Sequence, residues 1–179
     1  MNNEHNRSTT CCFTGYRPQK LPWGTNESDV RCRELKKRIY NAVAALYDAG
    51  IRHFICGMAL GCDMIFCEAV IRLREMYWDV TLEAAVPGSR QSERWDEKGQ
   101  ARYEELVSLC DDCTMIDEGD YTESLLARNR YMVDHSCVLL SVYDGRPGGT
   151  QYTISYARKA GIEIIEIPPL TESFFDCRR

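Results

Sequence analysis

The sequence predicts one Rossmann-like α/β domain, a three-layer α/β/α sandwich around a mainly parallel sheet of about six strands. Short apolar runs of β type alternate with longer helical periods along the 179 residues, the order that yields a parallel sheet with helices on both faces. Glycine or proline closes most runs, as strand and helix ends require. No repeat, low-complexity block or linker breaks the pattern, so a single domain is expected over residues 11–170. Polar residues 1–10 read as a frayed tail and residues 171–179 as a second one.

The first strand is expected at Cys11-Cys12-Phe13-Thr14, ending at Gly15. After a loop with Pro18, Pro22 and Gly24, Val30, Leu35, Ile39, Val43 and Leu46 recur at helical spacing, and Gly50 supplies the stop. His53 to Cys56 forms the second strand, and the helix after it carries Ile65, Ala69, Leu73 and Met76 on one face. Val80 to Val86 is the third strand, stopped by Pro87-Gly88, and a helix from Tyr103 to Leu109 follows. Thr114 to Ile116 is a short fourth strand before a helix over Glu123 to Asp134. Cys137 to Val142 is the strongest strand pattern, then a helix from Thr150 to Lys159 and a last strand from Glu163 to Ile167.

Composition narrows the function. A formal net charge of −5 opposes a protein built mainly to grip phosphate backbones. No run of apolar residues is long enough for a membrane span, and the polar start lacks a signal-peptide core, so a cytoplasmic location is expected. The ten cysteines sit mostly inside apolar runs, where they behave as small buried hydrophobes. Cys110 and Cys113 make the one CxxC, but it closes a helix and holds Asp111 and Asp112 between the thiols. Both features disfavour a thiolate, and no second ligand pair lies close enough for zinc. Neither a metal nor a cofactor is expected.

In such sheets ligands bind beyond the carboxyl ends of the strands, near the point where strand order reverses. Four strand ends carry suitable residues. Gly15, Tyr16 and Arg17 follow the first strand, the glycine for close backbone approach and the arginine for an anion. Gly57 and Gly61 bracket the turn after the second, with Asp63 in the first helical turn. Asp63 reads either as a favourable charge at the helix dipole or as an acceptor for a ribose hydroxyl. Pro87 leads into a loop with Arg90, Arg94 and Trp95, suited to pairing with phosphate and stacking on a base. Asp144-Gly145-Arg146-Pro147-Gly148-Gly149-Thr150 follows the fifth strand, where Gly148 and Gly149 expose backbone amides and Thr150 is expected to cap the helix. No lysine follows the glycines and no GxGxxG is present, so this is neither a Walker A loop nor a standard dinucleotide fingerprint. In the fourth helix Asn129 shares a face with Leu125, Met132 and Val133, a polar group on an inward stripe; Arg128 and Arg130 flank it and Asp134 ends the helix.

Together these motifs, from Thr14-Gly15-Tyr16-Arg17-Pro18 through Arg128-Asn129-x-x-Met132-Val133-Asp134 to Gly148-Gly149-Thr150, resemble the SLOG superfamily, in its YpsA-like branch. The resemblance covers about Cys11 to Ile167. It implies a Rossmann-like domain that binds or senses a nucleotide-derived ligand, such as ADP-ribose, an NAD-type molecule or a nucleoside monophosphate. The same superfamily includes Lonely Guy enzymes, which hydrolyse nucleotide N-glycosidic bonds, and DprA, which binds single-stranded DNA. The Lonely Guy PGGxGTxxE pattern carries a catalytic glutamate where this chain has Thr153, and a threonine does not perform carboxylate catalysis. Ligand binding is therefore the leading expectation. An N-glycosidase using Asp63, Asp134 or Asp144 comes second, and a DprA-like nucleic-acid module third. A homodimer is compatible with the helix faces.

Overall fold

A computed structural model describes residues 5–116 and 119–171. Six strands, β1 (Thr10–Thr14), β2 (His53–Cys56), β3 (Thr81–Val86), β4 (Asp112–Met115), β5 (Val138–Val142) and β6 (Glu163–Ile167), form one sheet in the order β4-β3-β2-β1-β5-β6. All five pairings are parallel. Five helices connect them: α1 (Val30–Asp48), α2 (Cys62–Arg74), α3 (Glu97–Ser108), α4 (Tyr121–Asp134) and α5 (Gly149–Ala160).

Because the residue period of a strand is two, each central strand feeds both layers. Cys11, Phe13, Phe54, Leu82, Ala84 and Leu140 point into the layer under α1, α2 and α3. Cys12, Ile55, Ala85 and Leu139 meet Met132 and Val133 of α4 and Ile154 and Ala157 of α5 on the other face. The three-layer α/β/α arrangement follows. The chain builds outward from β1 to β4, then crosses to β5 on the other side of β1. The strand order therefore reverses between β1 and β5, and the loops leaving those two strands diverge there.

The structure differs from the expected elements in three places. Helix α3 starts at Glu97, well before Tyr103, because the Asp96 side chain caps Gly99 N and offsets an apolar-poor first turn. Met76 lies beyond α2 and is 61% exposed, so it does not extend that helix's buried face. Residues 5–10 are not a frayed tail. Asn6 caps a 3-10 turn over Arg7–Thr9, Thr10 begins β1, and the His5 ring stacks on His53 at 3.5 Å. Residues 1–4 and 172–179, the rest of the two expected tails, lie outside the described residues. The cysteines of the described residues are free thiols. Burial pushes the Cys113 thiol of the CxxC upward, as its acidic and apolar surroundings require.

Candidate functional site

A cleft of about 420 Å³ opens at the switch point, between the loops that leave β1 and β5 and beside the first turns of α4. Of the residues singled out in the sequence, Gly15, Tyr16, Arg17, Asp63, Asn129, Gly148, Gly149 and Thr150 line it. Arg94 and Trp95 line an adjoining pocket of about 380 Å³ that shares Arg17.

The floor is set by the helix starts. Asp29, Asp96 and Asp120 cap α1, α3 and α4 through their side chains. Two further helices that start at the cleft, α2 and α5, begin instead from Gly61 and Gly148 without a side-chain cap. At α2 the Cys62 amide is taken by the Tyr16 carbonyl at 3.0 Å. At α5 the first amides have no intrahelical partner and Gly148, Gly149 and Thr150 line the cleft, a place where the helix dipole favours an anion. Thr150 is not the cap that was expected: the helix begins one residue earlier, and the Thr150 hydroxyl donates to the Gly15 carbonyl at 3.2 Å, joining the two loops.

Asp63 is 6% exposed and its Oδ2 accepts the Ala59 amide at 3.2 Å. Burial pushes its carboxyl up to about 6, although the charges of Arg128 and Arg17 and the amides of Ala59 and Gly15 pull the other way. Arg128, expected beside the inward stripe, is itself the buried charged residue of α4 at 4% exposure. Its Nη1 donates to the Gly57 carbonyl and, at 3.4 Å, to that of Ala85, and its Nε donates to Asn129 Oδ1 at 3.0 Å. Burial lowers the guanidinium's affinity for its proton and the Asp63 charge restores part of it. Asn129 is only half-buried; with its oxygen held by Arg128, its amide nitrogen is left for the cleft.

Several expected ligand contacts have other roles. Gly57 is glycine because a Cβ would strike the Arg128 guanidinium, so it makes room for the buried arginine and does not line the cleft. Gly61, at φ +96°, is held against the Tyr16 carbonyl and faces a separate groove. Pro87 is buried and lines neither pocket. Asp144 stands behind the wall: the Tyr16 hydroxyl donates to it at 2.5 Å and Arg146 pairs with it at 2.9 Å. Burial would raise its carboxyl, yet these two partners hold it below the ordinary range. Asp134 closes α4 at the amino end of the sheet, where Tyr156 donates to it at 3.0 Å, and it takes no part in the cleft.

Lys20 was missed. It comes from the loop after β1, lines the cleft, donates to the Pro147 carbonyl and sits where a Cβ on Gly148 would meet its Nζ at 2.5 Å. Its ammonium therefore lies beside the open α5 N-terminus. Thr153 is buried with its hydroxyl donated to the Gly149 carbonyl at 3.1 Å.

Among the described residues no group of His, Cys, Asp and Glu side chains converges on a metal position. No helix there is long and apolar enough to cross a membrane.

The chain is similar to the UPF0398 protein of Bacillus cereus (strain B4264), with 29% identity over 152 residues that cover 83% of this chain and 82% of that one. The UPF0398 protein of Bacillus thuringiensis (strain Al Hakam) is 30% identical over the same shares. Among solved structures, DNA processing protein A of Helicobacter pylori, described for its single-stranded DNA binding mode, superposes with a TM-score of 0.62 at 17% identity, covering 94% of this chain and 69% of that one. DNA processing protein A of Streptococcus pneumoniae gives 0.60 at 13% identity, covering 95% and 56%. At such identities the two structures establish a shared fold. A model of the YpsA family, described as the YspA SLOG family, matches residues 11–165. With the Rossmann-like sheet and its switch-point loops in place, this chain belongs to that family.

Proposed function

We propose that the switch-point cleft binds a nucleotide-derived ligand and that the protein acts as a binding or sensor domain for it. One observation carries the reading: the uncapped N-terminus of α5 opens into the same cleft as the buried Asp63. The α5 amides and Lys20 suit a phosphate, while Asp63 and the Asn129 amide suit sugar hydroxyls. Phosphate and sugar are then read by separate, oppositely charged walls, so the carboxylate need not face the phosphate. Calorimetric titration with ADP-ribose, NAD and nucleoside monophosphates tests this. Binding that weakens by about tenfold in Gly148→Ala is expected, since a Cβ there displaces Lys20 and strains a φ of +142°. No binding across the panel overturns it.

Asp63 also favours a second reading. A buried carboxyl titrating at about 6 is poised to hold or release a proton near neutral pH, which suits an N-glycosidase. Release of free base from a nucleoside monophosphate, lost in Asp63→Asn, supports that activity, and release that survives the substitution excludes Asp63 from it. A single-stranded oligonucleotide belongs in the same panel because of the DNA processing protein neighbours; the net charge of −5 sets the expectation of no binding at physiological salt.

A further inference from the structure

The pocket beside the cleft has no part in the function proposed above. Arg17, Arg90, Gln91, Glu93, Arg94, Trp95 and Tyr121 line it. Arg17 lines both cavities, and the first turn of α4 supplies Tyr121 to one and Thr122 to the other.

Six arginines elsewhere are held by carboxylates, and Arg7, Arg38 and Arg128 by backbone carbonyls. Arg31, Arg52, Arg74, Arg102, Arg146 and Arg158 each pair with a carboxylate. Arg17, Arg90 and Arg94 form no ion pair with any described carboxylate, although Glu93 lies in the same pocket. Three unpaired guanidiniums around one pocket of an acidic chain make a local well for anions. Trp95 is half-buried with its ring edge-on to Tyr103 at 5.4 Å, and Tyr121 is 44% exposed, so two aromatic faces stand beside the cations.

Gln91 forms part of the pocket floor. It is 5% exposed and its amide nitrogen donates to the Gly57 carbonyl at 3.0 Å. Since a carbonyl accepts only from the nitrogen, the orientation of the amide is set, and its buried Oε1 is left without a protein donor. The oxygen exposes almost no surface, so Gln91 shapes the floor of the pocket while the arginines and aromatic rings supply the contacts.

We infer that this pocket is a second subsite for phosphate and a ring, continuous with the cleft through Arg17. The ligand is then two nucleoside units joined through phosphate, not a single nucleoside monophosphate. A monophosphate held at the α5 amides leaves the arginine subsite empty. A phosphate-linked pair occupies both, with Arg17 at the join. The inference rests on reading the cleft as a nucleotide site.

The experiment is a calorimetric comparison of AMP, NAD and the 3′,5′-linked dinucleotide pApA on the wild-type chain and on an Arg90→Ala/Arg94→Ala variant. Both arginines are exposed, so an unchanged thermal midpoint is expected. At least one of the two-unit ligands should bind the wild type about tenfold tighter than AMP, and the variant should erase that preference while leaving AMP affinity within about twofold. NAD against pApA tells a pyrophosphate link from a phosphodiester. Equal affinity for all three, or a preference that survives the double substitution, overturns the second subsite while the cleft remains a nucleotide site. Failure of all three to bind overturns both.

Discussion

Two ends of the same sheet each bury ionisable side chains, and they handle them in opposite ways. At the amino end His53 and Glu83 meet at 3.0 Å. The other Glu83 oxygen accepts the Tyr131 hydroxyl at 2.7 Å, and the other His53 nitrogen lies 2.8 Å from the Thr81 hydroxyl. His5 stacks on His53 and reaches Asp112 at 2.9 Å. At the carboxyl end Asp63 and Arg128 are equally buried but make no direct ion pair, and Arg128 uses its donors on Gly57, Ala85 and Asn129 instead. The carboxyl groups respond accordingly. Burial works against both, yet hydrogen bonds from His53, Thr114 and Tyr131 hold Glu83 below its ordinary value, whereas Asp63 rises to about 6. A network closed on itself stabilises a sheet; one left open keeps charge and hydrogen-bonding capacity for a ligand.

The largest test of this contrast is Arg128→Met. It removes the guanidinium that satisfies the Gly57 carbonyl and leaves Asp63 buried beside an apolar side chain. A loss of about 3–5 kcal/mol in urea unfolding is expected, with ligand binding lost as well. A loss below about 1 kcal/mol would show that the carbonyls and Asp63 do not depend on the arginine.

The two carboxyl groups should next give opposite pH slopes. Asp63 binds its proton more tightly folded than unfolded, with a rise from 3.8 to about 6, so it favours the fold when protonated. Its ionisation costs stability as pH rises through that interval, by about 3 kcal/mol at most, and Asp63→Asn should remove that slope. Glu83 is held below its ordinary value. Its contribution is present above the unfolded pKa and is lost as pH falls through the folded one. Glu83→Gln should therefore flatten the acid limb, lower stability at neutral pH by about 2 kcal/mol, and leave ligand affinity unchanged. Urea titrations between pH 3 and 8 read both, and slopes of the same sign would remove the distinction between the two ends.

The sheet was legible because strand and helix periods differ and because glycine or proline marks most ends. The cleft was legible for a related reason: glycines at the ends of β1, β2 and β5 stand out against apolar runs. What failed was long-range. An arginine on an amphipathic helix is assigned to solvent by pattern, and only the missing Cβ of Gly57, distant in sequence, makes the interior position of Arg128 possible. Lys20 was invisible because its place depends on how one loop folds against another. Asp134 was avoidable: a helix that returns from the carboxyl end of a parallel sheet finishes at the amino end, so topology alone removes it from the cleft.

The smallest effect expected is that of Tyr16→Phe, and it separates the wall of the cleft from its contact surface. The Tyr16 hydroxyl donates to Asp144 at 2.5 Å and accepts the amides of Asp144 and Arg146 at 3.3 Å each. Its ring lies under Arg146 at 4.8 Å and Lys20 at 5.3 Å. Phenylalanine keeps the ring and both cation contacts while releasing the turn that positions Gly148 and Gly149. Loss of those bonds should lower stability by about 1 kcal/mol and weaken the ligand a few-fold, through looser α5 amides and with no change in the pH profile of binding. A much larger loss of affinity at unchanged stability would instead make the hydroxyl itself a ligand contact. Tyr16 would then belong with Asp63 and Asn129, among the groups whose capacity is left for the ligand.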